Sequence, residues 1–245
     1  MIMRLAQTAA ERARSLKERD STDDFSHLRA VLFDLDGTLV DSEAQVAAAA
    51  CEALSAFGHD VSVDQLAPHL GPPLVDTYMA LLGVDRDEAR TMYQEYLRIY
   101  TAEYVPETKA ISGAEALLDS LRDRGLPIAL VTNKVEELGR AVVEVMGWEE
   151  RFGIVVGADT THEGKPGPAP ALHALRHLGV PPGEAVLIGD SPADMGCAVN
   201  AKLRAGIAVP GFSSTRPKSI DLMREAGATH FCDDLLAVRA LLLGV

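Results

Sequence analysis

The stretch Ala30-Val31-Leu32-Phe33-Asp34-Leu35-Asp36-Gly37-Thr38-Leu39-Val40-Asp41-Ser42 decides how the rest of the chain is read. It opens with a continuous apolar run, Ala30 to Phe33, the pattern of a strand buried on both faces in a parallel sheet. The run ends abruptly in two carboxylates, Asp34 and Asp36, separated by one residue. Gly37 then lets the chain leave the sheet sharply. In open α/β sheets ligands bind outside the carboxyl ends of the strands. Two acids at such an end are costly unless a cation or hydrogen bonds compensate them, so the stretch already points to a metal site.

On the C-terminal side the pattern changes from strand to helix after helix, from Ser42 to about Tyr104. Val46, Ala50, Ala53, Leu54 and Phe57 make the apolar face of the first helix, which stops at Gly58. Short helices are expected over Val63 to Leu70 and Leu74 to Leu82, with a longer one over Asp87 to Tyr104 and a rigid Gly71-Pro72-Pro73 turn between the first two. No strand signal interrupts this block, which reads as a small helical domain inserted just after the first strand.

Strand–helix alternation then resumes. Strands are expected at Pro127 to Val131, Phe152 to Val156, Ala185 to Ile188, Gly206 to Val209 and Thr229 to Cys232. Helices are expected at Gly113 to Arg124, Val135 to Met146, Ala171 to Leu178, from Ser191 to about Ala205, at Ile220 to Ala226, and in a closing segment capped by Asp233 and running to Leu243. This alternation predicts a doubly wound parallel sheet, a Rossmann-like α/β core carrying an inserted all-helical domain. The domain bounds are residues 28–41 and 106–245 for the core and 42–105 for the insertion. Residues 1–27 remain as an N-terminal extension, helical over 1–19, followed by a polar linker from Asp20 to Ser26.

The chain has 245 residues, and its 47% hydrophobic content is ample for a full core. A net charge of −13 disfavours binding to nucleic acid or to anionic membranes, so an anionic substrate needs local positive charge or a metal. The three cysteines, Cys51, Cys197 and Cys232, show no C-x-x-C spacing and fit reduced thiols in a cytoplasm. No transmembrane span or secretory signal is expected. His173 and His177 share a helix face at i, i+4, but no acid stands between them in the metalloprotease position, and they read as solvated surface residues.

Three strand ends carry polar residues: Asp34 and Asp36 at the first, Thr132 at the second, Asp190 and Asp194 at the fourth. Lys165 lies in a Pro/Gly-rich loop between strands. In a parallel sheet these ends share one edge. Carboxylates without Cys or His form a hard-oxygen set suited to Mg²⁺. A hydroxyl and an ammonium beside it can hold a phosphoryl group. One carboxylate can attack phosphorus, and a second can protonate the leaving oxygen and then activate water.

On these residues the chain resembles the haloacid dehalogenase-like hydrolase superfamily. The resemblance rests on D-L-D-G-T at Asp34 to Thr38, V-T-N at Val131 to Asn133, G-K-P at Gly164 to Pro166 and G-D-S-P-A-D at Gly189 to Asp194, in the family's order. It covers about residues 30–245. The helical block looks like the family's helical cap, close to the phosphoglycolate phosphatase group. The resemblance implies Asp34 as nucleophile and Mg²⁺ ligand. Asp36 becomes the general acid/base, with its main-chain carbonyl on the metal. Thr132 and Lys165 hold phosphoryl oxygens, with Asn133 as a weaker candidate. Asp190 becomes a metal ligand, and Asp194 a support for the metal or for Lys165. The family's dehalogenases lack an acid at the position of Asp36, so its presence favours a phosphatase.

The implied substrate is a small phosphorylated metabolite. Lysine is absent between Lys17 and Lys109, which disfavours phosphonoacetaldehyde hydrolase chemistry, since that needs a cap lysine. Arginine is absent from Ser42 to Asp85, where the sugar-phosphate mutases usually carry one, near Gly71 to Leu74. A mutase or pyrophosphatase is the alternative enzyme. A phosphate-binding regulatory module is the non-enzyme alternative, although such modules usually lose one of the four motifs.

Overall fold

The computed structural model describes residues 25–70, 73–210 and 220–244. The expected helix over residues 1–19 and the turn residues Gly71 and Pro72 lie outside them. Among the described residues no helix is long and apolar enough to cross a membrane.

Six strands form one parallel sheet: β1 (Ala30–Phe33), β4 (Ile128–Val131), β5 (Ile154–Val156), β6 (Ala185–Gly189), β7 (Ala205–Ala208) and β8 (His230–Phe231). They lie in the order β5-β4-β1-β6-β7-β8. The chain builds outward from β1 to β4 and β5, then returns to the other side of β1 with β6. Strand order therefore reverses at β1, the place where α/β sheets hold their ligands. Phe33 pairs with Leu130 of β4 and Ile188 of β6, so the three central strands end level with one another.

Alternation along β1 explains why both faces are covered. Val31 and Phe33 point to one side, where they join Leu117, Leu121, Leu138, Val142 and Leu235. These come from α5 (Ala114–Asp123), α6 (Glu136–Val145) and α10 (Leu235–Leu243). Ala30 and Leu32 point to the other side, against Ala171, Ala174, Leu175, Cys197 and Ala198. Those residues belong to α7 (Ala169–Leu178) and α8 (Pro192–Asn200). Successive strand side chains face opposite ways, so an unbroken apolar run is what two covered faces require. The expected doubly wound sheet is what the chain forms.

Between β1 and β4 lie the helices α1 (Glu43–Ala56), α2 (Val63–Leu66), α3 (Leu74–Leu82) and α4 (Arg86–Ile99). The Asp85 side chain accepts from the Asp87 and Glu88 amides and starts α4. The helix then widens into a π-helical turn, Tyr100–Tyr104. Tyr93, Tyr96, Tyr100 and Tyr104 stack in series along it, with ring centroids 5.6, 5.4 and 6.2 Å apart. The two chain segments flanking the helical block pair with each other. Strand β2 (Val40–Asp41) lies antiparallel to β3 (Lys109–Ala110), a ribbon the sequence pattern does not announce because two residues per strand carry no periodicity.

Three local expectations are corrected. The helix expected to run to about Ala205 stops at Asn200, because Lys202 adopts φ +57 and the Leu203 amide returns to the Ala198 carbonyl at 2.9 Å. Asp234, not Asp233, caps α10, its carboxylate accepting from the Ala237 amide at 2.6 Å. Phe25, placed in a polar linker by its neighbours, is buried in the core beside the His230 ring. Helix α9 (Ile220–Glu225) falls where expected, a residue shorter.

Candidate active site

The carboxyl ends of β4, β1 and β6 deliver Thr132, Asp34 and Asp190 side by side. All are buried, as are Lys165 and Asp194. The Asp34 amide donates to the Ile188 carbonyl at 2.9 Å, so its main chain is still part of the sheet when its side chain emerges at the edge. Gly37, four residues past the strand, sits at φ +80, and a Cβ there would lie 2.1 Å from Asp190 Oδ2. Only glycine lets the departing chain pass this close to the carboxylate.

Lys165 organises one side of the site. Its ammonium donates to Asp34 Oδ1 at 2.7 Å, to Asp194 Oδ1 at 2.6 Å and to the Val131 carbonyl at 2.8 Å. All three donors of the ammonium are thereby satisfied. Burial works against its charge, but Asp194 and Asp34 more than offset this and hold the proton more tightly than usual. Asp194 also closes a capping box with Ser191 at the start of α8, accepting the Ser191 amide at 3.0 Å and hydroxyl at 2.5 Å.

The Lys165 main chain is gripped separately. Asn133 Nδ2 donates to the Lys165 carbonyl at 3.0 Å, and Asn133 Oδ1 accepts the Lys165 amide at 2.8 Å. The Asn133 side chain therefore faces the main chain of the Lys165 loop. The Thr132 hydroxyl accepts from the Lys134 amide at 3.1 Å and keeps its own proton for another acceptor.

Asp36 lies on the other side. Its Oδ1 is 2.9 Å from the Lys134 ammonium and also accepts the Ser42 hydroxyl. The Lys134 side chain is only 5% exposed; it donates to the Tyr100 hydroxyl at 2.9 Å and lies 4.2 Å from that ring's centre. Burial opposes its charge too, yet Asp36 and the tyrosines raise its proton affinity overall. Lys134, Ser42 and Tyr100 are absent from the sequence-based site. The one available signal was the position of Lys134 immediately after the V-T-N strand end; its partner Tyr100 is 34 residues away and gives no pattern.

Carboxylate oxygens of Asp34, Asp190 and Asp194 lie within 4.8 Å of one another. Burial first, then Asp194 and Asp190, push the Asp34 carboxyl up to about 8 against the pull of Lys165. Three buried acids with one shared ammonium leave excess negative charge, and a bound divalent cation reverses that balance. The donor set is all oxygen, as a hard cation requires. The residues present therefore fit Mg²⁺, with Asp34 and Asp190 the side chains that would hold it. Asp194 is committed to Lys165 and Ser191, and the Asp36 carboxylate is turned toward Lys134.

Comparison with known proteins places the chain in a family. A family model described as haloacid dehalogenase-like hydrolase matches residues 31–208. A protein named phosphoglycolate phosphatase from Xylella fastidiosa (strain 9a5c) is 35% identical over 191 residues, covering 76% of this chain and 82% of its own. One of the same name from Aquifex aeolicus is 32% identical over 206 residues, covering 79% and 95%. A crystal structure described as a predicted phosphatase from Clostridium acetobutylicum superposes with a TM-score of 0.76 at 27% identity, over 89% of this chain and 100% of that one. With the family model spanning well over half of its residues, the chain belongs to the haloacid dehalogenase-like hydrolases.

Proposed function

We propose that the protein is a Mg²⁺-dependent phosphatase that hydrolyses a small phosphate monoester through an aspartyl-phosphate on Asp34. The phosphatase reading is carried by the two relatives named phosphoglycolate phosphatase, and a phosphoglycolate-like metabolite is the substrate class they support. The single structural observation behind the mechanism is the pairing of Asp34 with Lys165 at 2.7 Å at the end of the central strand. This sets a nucleophile next to the charge that a phosphoryl group needs.

Asp34 attacks phosphorus as the P–O ester bond breaks, and the departing oxygen takes its proton from Asp36. The Thr132 hydroxyl donates to a non-bridging oxygen, and Lys165 exchanges its bond to Asp34 for a second one as Asp34 turns to phosphorus, so its charge lies beside the phosphoryl group throughout. Water then attacks phosphorus and gives its proton to Asp36, so that inorganic phosphate leaves and Asp34 is restored. Asp34, Asp190 and the Asp36 main-chain carbonyl would hold Mg²⁺, which when bound would supply charge neutralisation and orientation of the phosphoryl group. Asp194 keeps Lys165 in place.

The helical block, residues 42–105, is assigned as a cap over this edge of the sheet. The β2–β3 ribbon gathers its two connections at one point, which supports a hinge. A cap that closes on substrate excludes water until the ester is seated. The acidic composition and scattered thiols support a cytoplasmic location.

Release of p-nitrophenol from p-nitrophenyl phosphate tests the proposal. Turnover is expected with Mg²⁺, to be lost with excess EDTA and to return when Mg²⁺ is restored. Full activity in excess chelator would overturn the metal assignment, and absence of turnover on any phosphate monoester would favour a binding module instead.

A further inference from the structure

We infer that Asn133 is a positioning residue for Lys165 rather than a ligand of the phosphoryl group. Two observations carry this. The Asn133 amide makes both of its strong side-chain hydrogen bonds to the main chain of one residue, donating to the Lys165 carbonyl at 3.0 Å and accepting the Lys165 amide at 2.8 Å. This is the two-point pairing of a sheet ladder, made by a side chain. Independently, Gly164 leaves room for it, since a Cβ at Gly164 would come within 2.8 Å of Asn133 Oδ1.

The clamp matters because Lys165 has a demanding geometry to satisfy. Its loop, from Gly157 to Pro168, has no regular secondary structure, yet its ammonium must meet Asp34, Asp194 and the Val131 carbonyl at 2.6 to 2.8 Å. Asn133 leaves the sheet directly after β4 and Thr132, so the clamp ties the loop to the same rigid edge that carries Thr132. A fixed main chain at residue 165 sets the point from which the lysine side chain reaches the site. The inference rests on the proposed reading of Lys165 as a holder of phosphoryl oxygens, and the test separates the two.

The experiment is a double-mutant cycle. Asn133→Ala is compared in the native background and in Lys165→Met, with kcat and KM measured on p-nitrophenyl phosphate at saturating Mg²⁺. Inorganic phosphate binding is followed by calorimetry. In the native background kcat should fall roughly 10- to 100-fold, the scale of an ångström-size misplacement, with KM and the phosphate Kd within about 3-fold. In the Lys165→Met background the same substitution should cost about 2-fold or less, because residues acting through one another are not additive. Gly164→Ala pushes on the clamp without replacing Asn133 or Lys165, and it keeps the test decisive if Asn133→Ala is poorly folded. It should show the same signature, a loss of roughly 3- to 10-fold that vanishes without Lys165. Equal losses in both backgrounds, or a loss seated in KM and phosphate Kd, would overturn the inference and return Asn133 to direct phosphate contact. Retained activity in Lys165→Met alone would overturn the reading of Lys165, and with it the inference.

Discussion

Two buried lysines flank the end of β1, and they are held in opposite ways. Lys165 is bonded to Asp34, Asp194 and the Val131 carbonyl, all from the α/β core. Lys134 shares itself between Asp36, from the core, and Tyr100, from the π-helical turn that ends the helical block. The first arrangement is complete within one rigid scaffold and presents a fixed positive charge. The second depends on where the helical block sits. The difference teaches that one strand end can carry two kinds of electrostatic support, which under the proposed mechanism would be a permanent one for the phosphoryl group and a conditional one for Asp36 as leaving-group acid.

The largest expected effect lies on the Lys165 side. Asp34→Asn should reduce turnover by at least ~10⁴-fold, as loss of a nucleophile does. It should not lower the melting temperature, because it removes one of three crowded acids and keeps the shape. Substantial turnover in a cleanly purified variant would remove Asp34 from its role.

Lys165→Met comes next. It leaves Asp34 and Asp194 buried without their shared cation, so it should cost about 3–5 kcal/mol of stability, read by chemical denaturation. Activity should drop by roughly 10²- to 10³-fold, the loss expected of a charge aimed at the transition state. A variant as stable as the native protein would show that the site does not need this cation to fold.

Lys134→Met sharpens the contrast. Its partner Asp36 is 24% exposed at the side chain and keeps the Ser42 hydroxyl, so a smaller stability loss, about 1–3 kcal/mol, is expected. Tyr100→Phe removes one hydrogen bond to Lys134 and keeps the ring, costing about 1 kcal/mol. Equal losses for Lys134→Met and Lys165→Met would erase the distinction drawn between the two corners.

The fold was legible because its evidence is local and repeated. Four apolar residues ending at Asp34, and four more ending at Thr132, can only be buried strands with polar ends. Alternation with helices places those ends on one edge. The acids, Thr132 and Lys165 were legible through their ordered motifs. What stayed hidden was contact between distant segments. Nothing in the sequence says that Tyr100 returns to Lys134, or that Val40-Asp41 pairs with Lys109-Ala110. The helix stop at Lys202 was missed because a lysine in a left-handed conformation gives none of the signal a glycine would. The choice between Asp233 and Asp234 as cap turns on one residue of register, which composition cannot decide. Asn133 was noticed for its motif, but its grip on the Lys165 main chain is a tertiary fact.

The smallest effect is expected in the helical block. Pro73 precedes α3 at an exposed position. Replacing Pro72 and Pro73 by glycine should leave activity on p-nitrophenyl phosphate within about 2-fold while reordering kcat/KM across a panel of phosphorylated metabolites that includes pyrophosphate. An unchanged order would place specificity elsewhere in the block.

The most direct measurement is on the covalent intermediate. An Asp36→Asn variant should still accept the phosphoryl group from p-nitrophenyl phosphate, whose leaving group needs little protonation, but should return it to water slowly. After mixing with this substrate and Mg²⁺, acid quenching and peptide mapping by mass spectrometry should find one added phosphoryl group on Asp34. The adduct should vanish when Asp34 is also changed to Asn. A phosphoryl group on any other residue, or p-nitrophenol release with no adduct at any quench time, would contradict the assignment of Asp34 as the nucleophile.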